Sequence, residues 1–246
     1  MIETDFLLLA PLIFCAALLY SSVGHAGASG YLAAMALLSV APEDMKPIAL
    51  TLNILVATIA TVKFYLAGCF SWRILWPFTL TSLPCAFLGG ALTIPGTLYK
   101  QIVGSVLLFA SYRLLRGAFT EVSVDKFPPL GWSLVCGAGI GLLSGLTGTG
   151  GGIFLSPLLL IMAWAETKKS AGVSAAFILV NSVAGMAGYL YKGSPMPIGI
   201  WPLAVAAVLG GLVGSEFGSK RIGNTTLRKI LAVVLMIAGG KMILGI

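Results

Sequence analysis

Apolar residues run through this chain in long stretches, punctuated by short polar or glycine-rich segments. Six stretches, about 47 to 66, 73 to 93, 98 to 115, 171 to 191, 197 to 218 and 228 to 245, approach the ~20 residues a helix needs to cross a bilayer, and each is predicted to span. Four others, about 6 to 20, 28 to 41, 131 to 145 and 152 to 164, hold nearer 15 residues. At 1.5 Å per residue these reach roughly 22 Å, against a hydrocarbon core of about 30 Å. They come in pairs, and each pair meets at a glycine-rich break: Ser21-Ser22-Val23-Gly24-His25-Ala26-Gly27-Ala28-Ser29-Gly30 and Gly145-Leu146-Thr147-Gly148-Thr149-Gly150-Gly151-Gly152. Non-helical backbone at membrane depth persists only where protein buries it or a water-filled cavity meets it. The breaks are therefore the first candidates for a site.

Composition fixes the solvent. The chain is 58% hydrophobic and 9% charged, too little polar surface to clothe a soluble globule of 246 residues. The prediction is an all-α integral membrane protein with no extramembrane domain, its longest wet segment lying near Gly117 to Pro129. The net charge of +7 is carried by Lys and Arg set singly or in pairs between apolar runs, so they mark topology and not a nucleic-acid surface. The opening Met1-Ile2-Glu3-Thr4-Asp5 lacks the basic start of a signal peptide, and the first apolar run is expected to stay. Cys15, Cys69, Cys85 and Cys136 show no CxxC spacing, and there is one histidine, so no metal or cofactor is expected.

Three arrangements suit each short pair: a re-entrant hairpin, two tilted crossings, or one helix broken midway. For the first two, the loops sort into a set with eleven Lys and Arg (Lys63, Arg73, Arg113, Arg116, Lys126, Lys168, Lys169, Lys220, Arg221, Arg228, Lys229) and a set with four (Lys46, Lys100, Lys192, Lys241). The positive-inside tendency puts the larger set in the cytoplasm and both termini, with Glu3 and Asp5, outside. The broken-helix arrangement divides the loop cations 7 against 8 and is set aside.

Compared with itself at a shift of roughly 125 residues, the chain aligns Gly24 with Gly148, Gly27 with Gly151, Thr51 with Ser174, Lys46 with Lys169 and Trp76-Pro77 with Trp201-Pro202. This divides it into a first membrane repeat, residues 1–120, and a second, residues 121–246, each of about five helical segments. An odd number of crossings between equivalent positions inverts one repeat relative to the other. Inverted repeats with interrupted helices are the plan of many secondary transporters.

A new helix starts after each break, near Ala28 and Gly152, and its unpaired N–H groups and dipole favour anions. The candidate substrate-binding residues are Ser22, Gly24, His25, Gly27, Thr147, Gly148, Thr149, Gly150 and Gly151 in the breaks, with Thr51, Thr58, Ser174 and Asn181 on the following helices. Thr51 and Thr58 stand seven residues apart, two helical turns, as do Ser174 and Asn181. His25 could donate to an anion, carry a coupling proton, or cap backbone carbonyls. Glu216 is the one acid to consider for coupling, and snorkelling or a pair with Lys220 at i, i+4 is the plainer account of it. No nucleophile and base can be assembled, so the chain does not read as an enzyme.

The second break, with Pro157, the turn from Glu166 to Lys169 and the helix holding Ser174 and Asn181, resembles the TauE/SafE family, also called the sulfonate uptake permeases. The first half carries a looser copy in which His25-Ala26 replaces the fuller glycine run. The resemblance implies transport of sulfite, an organosulfonate or a related organosulfur anion, outward or inward. The leading reading is a secondary carrier in the inner membrane, working by alternating access and driven by an ion gradient, with H+ or Na+ as the coupling ion. A passive anion channel of the same architecture is the alternative. A membrane enzyme or accessory subunit using Cys15 and Cys136 is a third reading. Oligomeric state is not readable from these residues.

Overall fold

The computed structural model describes residues 3–22, 24–115, 127–197, 199–220 and 225–244. Among them are ten α-helices and no strand: α1 (Glu3–Ser21), α2 (Ala28–Leu37), α3 (Pro42–Leu66), α4 (Trp72–Ala91), α5 (Gly96–Leu115), α6 (Leu130–Thr147), α7 (Gly152–Ile161), α8 (Thr167–Tyr191), α9 (Trp201–Lys220) and α10 (Thr225–Leu244). The proposed boundary between residues 120 and 121, and most of the polar segment before Pro129, lie outside the described residues. By length and apolarity together, α3, α4, α6 and α8 are long enough to cross a membrane.

The short pairs are less even than their hydropathy predicts. The first member is nearly full length, 19 residues in α1 and 18 in α6, whereas the second, α2 or α7, has 10. Ten residues reach about 15 Å, half the hydrocarbon core. Hydropathy overestimates α2 and α7 because apolar residues continue past their ends: Val40, Trp164 and Ala165 are buried in the turns that follow. What stops each helix is backbone geometry. Ser39 and Ala163 take left-handed φ of 57° and 54°, and the next amides, Val40 and Trp164, donate back to Met35 (2.9 Å) and Leu159 (2.8 Å).

Such left-handed residues recur along the chain. Gly24 and Gly148, Gly27 and Gly151, Ser39 and Ala163, and Gly68 and Gly193 all have positive φ, each pair about 124 residues apart. The packing is paired in the same way. α3 and α8 lie against each other at the centre, α4 packs on α6 and α8, α9 packs on α1 and α3, and α5 packs on α10. Small residues set the closest of these approaches. Gly137, Gly141 and Gly145 form a strip of α6 against Phe78, Ser82 and Ala86 of α4, and Gly210 and Gly214 of α9 meet Phe14 and Leu18 of α1. Within lipid, where no hydrophobic force separates helix from solvent, this close backbone packing holds helices together.

Several cations expected in loops instead serve helix ends. Lys46 is in the second turn of α3, buried, and its Nζ donates to the carbonyls of Gly90 (3.0 Å), Leu92 (3.0 Å) and Gly89 (3.3 Å). It closes the C-terminus of α4, where the helix dipole favours a positive charge. Lys241 does the same for α2, donating to the Leu37 carbonyl (2.8 Å) and Ser39 Oγ (2.9 Å). Glu216 of α9 is bound by Lys63 of α3, a partner distant in sequence; the side chain of its i, i+4 neighbour Lys220 lies outside the described residues. Tertiary packing brings α3 and α9 together and so supplies Lys63.

Candidate functional site

The second break is built from α6, which ends at Gly148 with φ 82°, and α7, which begins after Gly151 with φ 79°. Gly150 between them is also left-handed, φ 72°. Three left-handed residues within four positions need glycine, because a side chain would strain each one. Space forbids a side chain as well: a Cβ on Gly150 would lie 2.5 Å from Ile178 Cγ2 and 3.0 Å from Ser182 Oγ. Asn53, Ile178 and Ser182 occupy the middle turns of α3 and α8, so this stretch of the break lies at mid-length of both central helices.

Two of its carbonyls are held by side chains from α5 and α3. Tyr99 of α5 donates from its hydroxyl to the Thr147 carbonyl (3.1 Å), and Asn53 Nδ2 donates to the Gly148 carbonyl (3.0 Å). Thr147 and Thr149 hydroxyls bond each other at 2.9 Å. No side chain caps α7, and among the described residues no protein acceptor receives the N–H of Gly150, Gly151, Gly152 or Ile153. With the Thr147 and Gly148 carbonyls tied and the amides from Gly150 to Ile153 unpaired, the start of α7 is the electropositive end of the break.

The first break repeats the plan with different side chains. Gly24 and Gly27 have φ of 77° and 104°, and α2 starts after Gly27 without a side-chain cap. Tyr31 doubles back beneath it and donates to the Ala26 carbonyl. A Cβ on Gly24 would overlap Ala171 of α8, so this break rests on the other half of the chain. In the same sense the second break rests on α3, with Gly148 against the backbone of Lys46.

Ser174 joins the two breaks. His25 Nε2 and Ser156 Oγ of α7 are hydrogen-bonded at 3.1 Å, and Ser156 Oγ donates to Ser174 Oγ at 2.6 Å. The Ser174 carbonyl in turn lies 3.5 Å from where a Cβ on Gly152 would sit. Ser170 extends the chain, its hydroxyl donating to the Ser156 carbonyl at 3.3 Å.

Of the remaining candidates, Ser22 is half-buried and donates to the Leu19 carbonyl (2.7 Å). Thr51 is half-buried and donates to Pro47 (2.8 Å). Asn181 is fully buried on α8, Nδ2 donating to Phe177 (2.9 Å). Thr58 is exposed and bonds back to Ile54, so the structure does not gather it with the break residues. The equal spacing of Thr51–Thr58 and Ser174–Asn181 thus leads to unequal burial, because Asn181 lies on a covered face of α8 and Thr58 on an open face of α3. Cys15 is exposed and Cys136 is half-buried in the cluster around Phe78 and Phe177. Among the described residues no three of His, Cys, Asp or Glu gather to hold a metal ion.

Sequence reasoning missed Asn53, Ser156 and Ser182. A buried carboxamide inside an otherwise apolar spanning run was the available signal for Asn53, since such a group is costly in lipid unless paired. Ser156 and Ser182 carry no such signal, because a serine in a membrane helix commonly bonds its own backbone.

Ten helices, apolar spans and two buried, uncapped interruptions define a polytopic all-helical membrane protein with an internal polar site. Comparison with known proteins then gives the family: residues 9–242 match the family described as sulfite exporter TauE/SafE, and the chain belongs to it. It is similar to the probable membrane transporter protein y4hK of Sinorhizobium fredii, 38% identical over 98% of this chain and 99% of that protein. It is also similar to the probable membrane transporter protein MJ0441 of Methanocaldococcus jannaschii, 27% identical over 99% of this chain and 98% of that one. YdhB of Bacillus subtilis, likewise a probable membrane transporter protein, is 24% identical over 63% of this chain and 65% of its own length. No solved structure matches the chain.

Proposed function

We propose that this membrane transporter of the TauE/SafE family is a secondary carrier that moves a small sulfur-containing oxyanion, sulfite or an organosulfonate, by alternating access coupled to an ion gradient. The observation that carries this reading is the pair of buried helix starts, after Gly27 and Gly151, whose first-turn amides have no side-chain cap. Helix N-termini of this kind hold anions with neutral donors and dipole, without a fixed cation that would make release slow. Sulfur as the central atom comes from the family's description and from no feature of the site.

Two inverted repeats supply the mechanism. The recurrence of left-handed residues at a displacement of about 124 residues supports them, as does the mutual arrangement in which each break rests on the other half's long helix. In our reading α2 and α7 are re-entrant half-helices, and rocking of one repeat against the other exposes the site to each side in turn. Burial of Gly24, Gly27, Gly148, Gly150 and Gly151 favours a carrier over a passive channel, whose path would be wetted throughout. We place the protein in the cytoplasmic membrane with both termini outside.

Purified protein in liposomes tests this. Saturable uptake of sulfite or a small sulfonate that accelerates when a proton or sodium gradient is imposed is expected. Flux that stays linear with concentration, at conductance-like rates, would establish the channel instead.

A further inference from the structure

The amides of the second break explain an anion, but one polar atom beside them does not fit a bare anion. Asn53 is fully buried, and its Nδ2 is committed to the Gly148 carbonyl at 3.0 Å. That commitment settles the orientation of the carboxamide, because the reverse would set its oxygen against a carbonyl oxygen. Asn53 Oδ1 is then an acceptor with no protein donor, and Ser182 Oγ, also fully buried, has no protein partner. Both side chains border the same point of the break: the position of a Cβ on Gly150 is 3.0 Å from Ser182 Oγ and 3.3 Å from Asn53 Nδ2. Unsatisfied buried polar atoms are uncommon in folded proteins and ask for a partner.

A fully ionised oxyanion offers only acceptors, so it would satisfy the amides of Gly150 to Ile153 and leave Asn53 Oδ1 without a donor. A ligand with negative oxygens on one side and a donor on the other satisfies both. Resting on the anion-carrier reading above, we infer that the second break selects a singly charged oxyanion that carries its own hydrogen-bond donor. The helix-start amides hold its charged oxygens, and Asn53 Oδ1 accepts from its O–H or N–H. Asn53 is thereby the specificity-determining residue, and the recognised species of sulfite is hydrogen sulfite. The donor could equally belong to a substituent of a sulfonate, such as the ammonium of an aminosulfonate.

The full-length protein in detergent, titrated with each anion and followed by calorimetry or ligand-induced stabilisation, decides the matter. Sulfite is titrated from about pH 6 to about pH 8.5, with sulfate and methanesulfonate as donor-free probes and 2-aminoethanesulfonate against ethanesulfonate as a second pair. The expected result is apparent sulfite affinity falling about tenfold per pH unit above the ligand's second ionisation, as a species binding only in its protonated form requires. Methanesulfonate should bind about tenfold more weakly than hydrogen sulfite at the lower pH, the size of one hydrogen bond. A preference confined to the aminosulfonate pair would identify the substituent as the donor. Asn53→Leu should remove the preference while keeping some anion binding, and Ser182→Ala, a gentler change at the same place, should narrow it. Equal affinity for hydrogen sulfite and methanesulfonate, with no preference within the sulfonate pair, would overturn the inference while leaving an anion carrier. Failure of every anion to bind would overturn the carrier reading itself.

Discussion

Gly150 is the residue on which the second break turns. Its left-handed backbone and its contact with Ile178 leave no room for a methyl group, so Gly150→Ala is expected to destabilise the protein by about 1–3 kcal/mol and to abolish uptake. Thermal unfolding in detergent beside a liposome assay measures both. Ser156 is a contrasting case, since it is small, joins His25 to Ser174, and leaves the backbone unstrained when shortened. Ser156→Ala should lower transport by about tenfold or more, with a stability change near the ~1 kcal/mol of one hydrogen bond. Full activity in that variant would mean that the link between the breaks is only structural.

At the scale of elements, α4 depends on a residue of another helix. Lys46 satisfies three carbonyls at its C-terminus, and Lys46→Met would leave them without a donor in a buried place. A loss of about 1–3 kcal/mol is expected, partly restored by Lys46→Arg, and unfolding measurements on both variants check it. The α3–α9 contact allows a further test. Lys63 and Glu216 form an ion pair in which both side chains retain some exposure, 27% and 46%. Exchanging them as Lys63→Glu with Glu216→Lys should restore gradient-driven uptake lost in either single variant. If Glu216 itself carried the coupling proton, the exchange would not restore it.

For the whole molecule, inverted repeats require equivalent positions on opposite faces and, by loop charge, both termini outside. Membrane-impermeant labelling of single cysteines introduced near residues 46 and 169 should therefore give opposite sidedness in intact cells. Labelling from the same face would end the inverted-repeat reading. Replacing both Cys15 and Cys136 by serine should leave uptake intact, because Cys15 is on an exposed surface and Cys136 is packed in the apolar cluster with Phe78 and Phe177 and belongs to neither break.

Much of this architecture is local and could be read along the chain. Mean hydropathy near +1 dictates a lipid solvent, and apolar stretches of about 15–25 residues separated by polar turns give the ten helices nearly in register. Glycine runs at 24–30 and 145–152 announce the interruptions, because residues with left-handed φ and uncapped helix starts are written in the local sequence. What surrounds each interruption is not local. Nothing along the chain says that Asn53 borders Gly150, that Lys46 closes α4, or that Glu216 pairs with Lys63, since these contacts join residues about 40 to 150 positions apart and depend on which helix faces cross. Burial follows the same rule: Thr58 and Asn181 have the same place in a repeated spacing, yet the helix faces that meet in the packed assembly expose one and enclose the other. Local preferences determine where a helix begins and stops, and only the packed assembly determines which of its polar atoms are left to meet a ligand.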